Sequence, residues 1–396
     1  MIEKGKISSQ QMGKMIYLAI TPTAILTAPG ISFNFARQDL WLSPVWAVCG
    51  LAAVPLALAL NRLQPDCGVI RACKNIIGRF PGWALGGILW LFYLYVSGII
   101  LREYGEFVVG SFLSDTPLVV VLGSLVLVCA LAVRGGVEIV GRFADLFLPA
   151  FLLLFLLIVL LIIPDLSITN MMPILGEGLL PSLKGALVLQ IWFGELAIAW
   201  FLLPFVSDRE NAKKTLWITF GAIVLTLLLS NWVTLLLLGD LTGGYSYAFL
   251  ILARYIDLAE FLTHLEALFM AIWVLGAFVK VCVFFYITTL GAAEWMALRD
   301  YRPIVFPIGL LLTLFSIWGA ANYQEMTHAL STSTIPLAFT MFIIVPALLY
   351  AIGRIRGIGR NGAGGAGGAG GGTGGAGGGT GGPAARPSYS SSRPRK

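Results

Sequence analysis

Runs of about 20 apolar residues recur along this chain, and no other feature restricts its fold so strongly. Backbone inside a bilayer has no water to bond. Such runs therefore cross as helices that satisfy their own amides and carbonyls. They lie near 12–35, 40–61, 83–110, 117–133, 143–163, 182–204, 215–238, 261–291, 303–320 and 331–352, which predicts ten transmembrane helices. Of 396 residues only 12% are charged, and mean hydropathy is +0.88. A soluble domain carries roughly 25% charged residues. The expected class is an all-α polytopic membrane protein. The N-terminal residues 1–11 are polar and basic, with no short apolar core and cleavage site behind them. The first run therefore reads as a retained span and not as a cleaved signal.

Basic residues set the expected orientation. With the N-terminus cytoplasmic, the inner segments gather Lys4, Lys6, Lys14, Arg62–Arg79, Arg134–Arg142, Arg209–Lys214, Arg299–Arg302 and Arg354–Arg360. The outer segments hold only Arg37, Lys184 and Arg254. Cytoplasmic loops favour Lys and Arg, so both termini are expected inside. The ten spans make a membrane domain over 12–358, with repeat one at 12–163 and repeat two at 182–352. The inner loop Arg62–Gly82 has the pattern of a short amphipathic helix, and the outer segment Gly239–Glu260 that of a short covering helix. Residues 359–396 are Gly-rich and end in Ser, Pro, Arg and Lys. This tail has too little apolar surface to order itself and is expected to be disordered.

Two spans carry breaks. The first reads Thr27-Ala28-Pro29-Gly30 at its centre. Proline lacks an amide proton and clashes with the preceding turn, so unwinding or a kink is expected here. The sixth reads Trp192-Phe193-Gly194-Glu195 at its centre, a glycine followed by a carboxylate. Five spans per half give the halves opposite orientations, so the breaks face each other. This is a 5+5 inverted repeat with discontinuous helices 1 and 6, the LeuT-like plan, with a ligand site between the breaks. Free amides at Gly30, Ile31 and Ser32 would suit a carboxylate, and carbonyls around Phe193 an ammonium. A zwitterionic amino acid fits both. The bland alternatives are a shaping kink and a packing glycine. Thr27, Ala28, Pro29, Gly30, Ile31, Phe193, Gly194 and Glu195 are the candidate ligand residues, with Ser97 on the third span.

Ionisable residues within spans are costly and mark function by default. Glu195 is one. Lys280, on the eighth span, is a base at matching depth that can act as a fixed cation between the first and eighth spans, or simply reach the inner interface. Arg102 and Glu106 are spaced to pair on one helix face. Glu103 points elsewhere. Glu103, Glu106 and Glu266 are candidates for proton or ion coupling along an outer vestibule, with His264 nearby. The five cysteines are scattered and lack metal-ligand spacing. No Walker pattern, metalloprotease motif or hydrolase elbow is present. The expectation is therefore no enzyme, no metal, no cofactor and no nucleic-acid partner. The bilayer is the one certain partner.

Ordered short motifs carry a resemblance to a family. They are Lys6-Ile7-Ser8 with Gln10 or Gln11, Gln38-Asp39 with Trp41, Leu101-Arg102-Glu103 with Gly105-Glu106-Phe107, and Thr116-Pro117. Arg134-Gly135-Gly136 with Glu138, Gly141 and Arg142 follows, then Pro173 with Leu175-Gly176-Glu177-Gly178. Phe193-Gly194-Glu195 and Glu266 with Trp273 and Lys280 complete the series. In this order the chain, from Lys6 to about Arg356, resembles the endospore germination permeases. These are the B subunits of Ger-type nutrient germinant receptors, in the amino acid–polyamine–organocation superfamily. The resemblance implies a ten-span inverted-repeat fold in the spore inner membrane. It implies assembly with a larger A subunit and a lipoprotein C subunit, and sensing of nutrients, typically amino acids. The Ala28-Pro29-Gly30 break and the Gly-rich tail depart from the family pattern. A proton-coupled amino acid permease is the alternative. A membrane scaffold or a water or ion conduit is the second.

Overall fold

The computed structural model describes residues 3, 5–65, 67–256 and 265–358, without the side chains of 265, 266, 268 and 272. The expected tail at 359–396, His264 and the Glu266 side chain lie outside the described residues. So does the end of the outer segment at 257–260.

Helix α1 spans Ser9–Ala36 and starts from a reciprocal cap. Ser8 Oγ accepts from the Gln11 amide at 3.1 Å, and Gln11 Oε1 accepts from the Ser8 amide at 3.0 Å. A 3-10 segment, Arg37–Trp46, leads into α2, Val48–Leu63. The inner loop holds α3, Val69–Ile77, which buries Ile70, Cys73 and Ile76. Long helices α4 (Arg79–Ser111), α5 (Leu118–Arg134) and α6 (Val137–Ile162) follow. Helix α7 (Leu180–Gly194) passes through a 3-10 turn into the short α8 (Ala199–Leu202). Then come α9 (Arg209–Leu238), the outer α10 (Ala248–Tyr255) and α11 (Leu265–Trp295). Helices α12 (Val305–Trp318) and α13 (Tyr323–Ser331) meet at a 90° bend. The last span joins α14 (Thr334–Phe339) to α15 (Val345–Ile355) through a wide π turn, Thr340–Ile344.

Seven of these segments are long and apolar enough to cross a membrane, or eight if the bent pair counts as one. The protein is a mostly helical integral membrane protein, with no strand among the described residues. Side chains such as Leu153, 72% exposed, and Leu160, 64% exposed, face outward as lipid-facing residues should.

Helix α1 is the centre of the bundle. It packs on α6, α7, α9 and α11 and is buried along nearly its whole length. Its entry is tied to the end of the sixth span. The Ile7 amide donates to Phe205 O at 3.0 Å, and the Ser207 amide donates to Ile7 O at 2.9 Å. At its other end, a Cβ on Gly185 of α7 would meet Ala36 Cβ at 2.6 Å. Helices α1 and α7 therefore run antiparallel.

The Ser9 amide and hydroxyl both donate to Asp208, each at 2.6 Å. The hydroxyl bond holds this carboxyl below the usual carboxylate range. A depressed carboxyl stabilises the latch above its unfolded pKa of about 4 and loses that effect as pH falls through the lower folded value. Amide exchange at Ile7 and Ser9 should therefore accelerate in strong acid. Asp208→Asn should remove that acid step; an unchanged pH profile in the variant would refute the assignment.

Candidate functional site

The sequence places a break at the centre of α1, and the structure does not. Helix α1 runs unbroken through Thr27-Ala28-Pro29-Gly30. Proline removes only its own amide from the ladder, and nearby hydroxyls bond the carbonyls of the same stretch. Thr21, Thr23 and Thr27 donate to Tyr17 O, Ile20 O and Thr23 O at 2.8, 3.4 and 2.9 Å. The amides of Gly30, Ile31 and Ser32 thus lie inside a helix and form no half-helix N-terminus. Gly30 has a different use. A Cβ here would stand 2.5 Å from Tyr245 O, so glycine lets the outer segment settle on α1. A Gly30→Val change would strike that carbonyl, whatever ligand the protein binds.

The sixth span is not unwound as expected either: residues 180–205 run on as one helical span that tightens at its centre, because the backbone amides there keep their carbonyl partners. The α-helix ends at Gly194, and Glu195–Ile198 form a 3-10 turn. Gly194 is needed for packing, because a Cβ there would meet Phe342 Cδ2 at 2.8 Å. Phe342 sits in the π turn of the last span. Pro346 lacks the amide that would bond Phe342 O in a regular helix, which accounts for the wide turn. Phe342 was not singled out by sequence pattern; the Pro346 spacing was the available signal. Phe193 does not join the cluster at this turn. Its ring meets Phe220 of α9 at 6.3 Å, and the Glu195 amide still bonds Ile191 O, so those carbonyls are not free.

Four helices meet at the 3-10 turn. Lys280 Nζ of α11 lies 3.0 Å from each oxygen of Glu195 and donates to Thr23 Oγ1 of α1 at 2.7 Å. Trp192 Nε1 donates to the same Thr23 hydroxyl at 3.2 Å. One α-turn further along α1, the Thr27 hydroxyl lies 2.8 Å from Glu103 Oε1 of α4 and shares its proton between that oxygen and Thr23 O. Lys280 is fully buried, Glu195 is 3% exposed and Glu103 is 4% exposed. A buried ion pair must repay the desolvation of both charges through geometry and added hydrogen bonds. The bidentate contact and the Thr23 hydroxyl supply these. The 3-10 turn in the sixth span sets Glu195 where it can meet Lys280.

The cavity beside this cluster is small, about 30 Å³, and is closed in by Ile99, Ile191, Trp192 and Phe342. That is room for a water or two and not for an amino acid. A larger cavity of about 360 Å³ lies toward the C-terminal end of α1, on the side expected to face outward, lined by Gly30, Ile31, Asn34, Tyr245, Gln324 and His328. A second, of about 330 Å³, shares Tyr245, Ser246 and Tyr323 with the first and includes Glu106.

The remaining candidates divide. Ala28 and Pro29 are buried in α1. Ser97 points away from the cluster, into the seam with α11, where its hydroxyl bonds Tyr93 O at 2.6 Å and Thr288 Oγ1 at 2.9 Å. Arg102 and Glu106 do pair, at 2.6 Å. The guanidinium also reaches Ser316 O at 3.4 Å and Ala321 O at 3.0 Å, on either side of the bend after α12. The pair thus ties α4 to the end of α12.

These features define a helical-bundle membrane protein with a charge cluster buried where α1, α4, α7 and α11 meet. Solved structures share this fold. Mhp1, a nucleobase-cation-symport-1 family transporter in a closed conformation with bromovinylhydantoin bound, matches with a TM-score of 0.58 over 85% of this chain and 78% of its own, at 15% identity. A Na+-coupled sialic acid symporter in a substrate-bound outward-open state matches with a TM-score of 0.60 over 88% and 79%, at 13% identity. At such identities the likeness is one of fold. Within this class the chain belongs to the spore germination protein family Spore_permease, which matches residues 6–324. Spore germination protein KB of Bacillus subtilis is 26% identical over 358 residues, covering 89% of this chain and 95% of the relative. Spore germination protein YndE of the same organism is 21% identical over 372 residues, covering 89% and 98%.

Proposed function

We propose that this protein is the membrane subunit of a spore nutrient germinant receptor in the spore inner membrane, with both termini cytoplasmic. It binds a small nutrient, an amino acid by its charges, between the first and sixth spans. It signals through A and C partner subunits and catalyses no reaction. The observation that carries this reading is the Lys280 ammonium held between Thr23 of α1 and Glu195 at the 3-10 turn. Lys280 stands where a fixed cation would join the two halves. Lys280 and Glu195 are also complementary to the carboxylate and ammonium of a zwitterion. The nutrient would enter from the outer cavity, displace Phe342 and Trp192, and exchange partners with the ion pair. Such a ligand shifts the equilibrium only by binding one state more tightly than the other.

The reading places ten spans in two inverted sets, 12–163 and 182–352. The antiparallel course of α1 and α7, and the 3-10 turn that interrupts the α-helix at the centre of the first span of the second set, support that arrangement. A second reading, a proton-coupled permease, is favoured by one observation. Glu103, hydrogen-bonded to Thr27, adds a second carboxyl to a cluster with one ammonium.

The test is a thermal-shift screen of the purified protein against the twenty amino acids. One or a few should raise the melting temperature, since a ligand of the folded state stabilises it by mass action. In Glu195→Gln, which leaves the Lys280 ammonium an oxygen acceptor but no counter-charge, the melting temperature of the ligand-free protein should fall and the shift should vanish in the fraction that remains folded. A full shift in that variant would sink the site. Concentrative uptake of a labelled amino acid into proteoliposomes would decide for the permease.

A further inference from the structure

A cavity of larger volume than those around the buried cluster lies elsewhere in the bundle. It is an elongated groove of about 710 Å³ between α1, α6 and α9. One end is polar, with Gln10 and Lys14 of α1 and Asn211 and Lys214 of α9. The other is apolar, with Leu152, Phe155 and Leu156 of α6 and Leu225 and Leu229 of α9. The groove opens sideways, because Ile218, Leu225 and Leu156 are 60%, 66% and 55% exposed. From Lys214 to Leu229 it follows α9 for about 22 Å. One leaflet's hydrocarbon is roughly 15 Å thick, half of the bilayer core. The groove therefore reaches from a headgroup level through a whole leaflet.

Charge selects the headgroup. Of the acids near the polar end, Asp145 and Asp208 are engaged, and Glu210, four residues before Lys214 on α9, forms no ion pair with it. Asp145 accepts from Lys14 and Gln11 at 2.8 Å each, and Asp208 accepts from Ser9. Lys214, exposed on the first turns of α9, has no ion pair among the described residues. The cation left over is Lys214, and Lys14 stands across the groove from it. Deeper in, the Tyr17 and Thr226 hydroxyls bond each other at 2.8 Å, so they leave no polar demand on an acyl chain.

We propose that the groove is a binding site for one phospholipid, with its phosphate at Lys214 and Lys14 and one acyl chain lying along α6 and α9. The site is separate from the nutrient site and does not depend on it. A bound lipid would wedge α1 against α6 and α9, and so favour one setting of the helix that carries Thr23 and Thr27.

The test is native mass spectrometry of the full chain, released from detergent after exposure to phosphatidylglycerol or to diacylglycerol with the same chains. The wild type should retain one phosphatidylglycerol and no diacylglycerol. Lys214→Gln, a surface change that leaves the fold intact, should weaken retention about tenfold, the effect of one charged hydrogen bond. Leu152→Trp, which fills the groove, should abolish it. Leu153→Trp, on the bilayer-facing side of the same helix, should leave it unchanged. Equal retention of the two lipids would overturn the proposal, as would retention insensitive to both Lys214→Gln and Leu152→Trp. A cross-link from Leu152→Cys to a partner subunit in the receptor complex would overturn it too, by giving the groove to a protein helix.

Discussion

Lys280→Met should remove the protein from the membrane or lower its stability by about 3–5 kcal/mol, the cost of breaking a buried pair from one side. The variant strands Glu195, 3% exposed, with no cation within hydrogen-bond distance, and removes the shorter of the two bonds that Thr23 Oγ1 accepts. Most of that loss belongs to the abandoned carboxylate. Lys280→Met with Glu195→Leu should therefore recover most of it, since an apolar pair of similar volume is often as stable as the ion pair it replaces. Nutrient response should not return in the double variant. Melting temperatures of the wild type and the two variants, with germination or ligand-induced shift measured on the double, separate the two roles. If Lys280→Met left ligand binding and complex assembly unchanged, the bridging role would be lost. If the double variant regained nutrient response, the pair would be structural alone.

Much of this arrangement was legible in the chain, and the rest failed for identifiable reasons. Apolar runs locate the long helices because the bilayer removes every alternative for the backbone. A change in the helix at Gly194 was legible because a carboxylate follows it at mid-span, a placement that helix packing alone would not select. The pairing of Lys280 with Glu195 was suggested by depth, and the structure sets them 3.0 Å apart. The first span misled. Pro29 has the same local chemistry in a kink, an unwound turn or a continuous helix, and its neighbours decide among them. Here the helix runs on, buried against α6, α7, α9 and α11, and the Tyr245 carbonyl over Gly30 is a neighbour that only the tertiary structure supplies. Ser97 misled in the same way. A serine on the third span is a fair pocket candidate until the rotation of α4 is known, and that rotation turns it onto α11. Phe342 was invisible because its importance lies in contact with Gly194, 148 positions earlier in the chain.

Arg102→Met should be the other severe lesion, again about 3–5 kcal/mol, and for a different reason. Its guanidinium does three things at once. It pairs with Glu106 at 2.6 Å, and it donates to Ser316 O and Ala321 O on the two sides of the 90° bend. Carbonyls at the end of a helix have no partner in their own ladder, and a cation there also suits the helix dipole. Removal leaves the bend without its brace and Glu106 without its cation. Arg102→Lys should recover little, because one ammonium lacks the planar fork that spans a carboxylate and two carbonyls. Hydrogen exchange should show the loss as faster amides across 319–331, with α1 and α7 unchanged. A variant that melts within about 1 kcal/mol of the wild type, the range of an exposed pair, would refute the brace. The consequence for function follows from position. Helix α13 carries Tyr323, Gln324 and His328 into the wall of the outer cavity. The proposed route from that cavity to Glu195 passes under this bend. A freed α13 should therefore blunt the response to nutrient, even though Arg102 touches no group of the buried cluster.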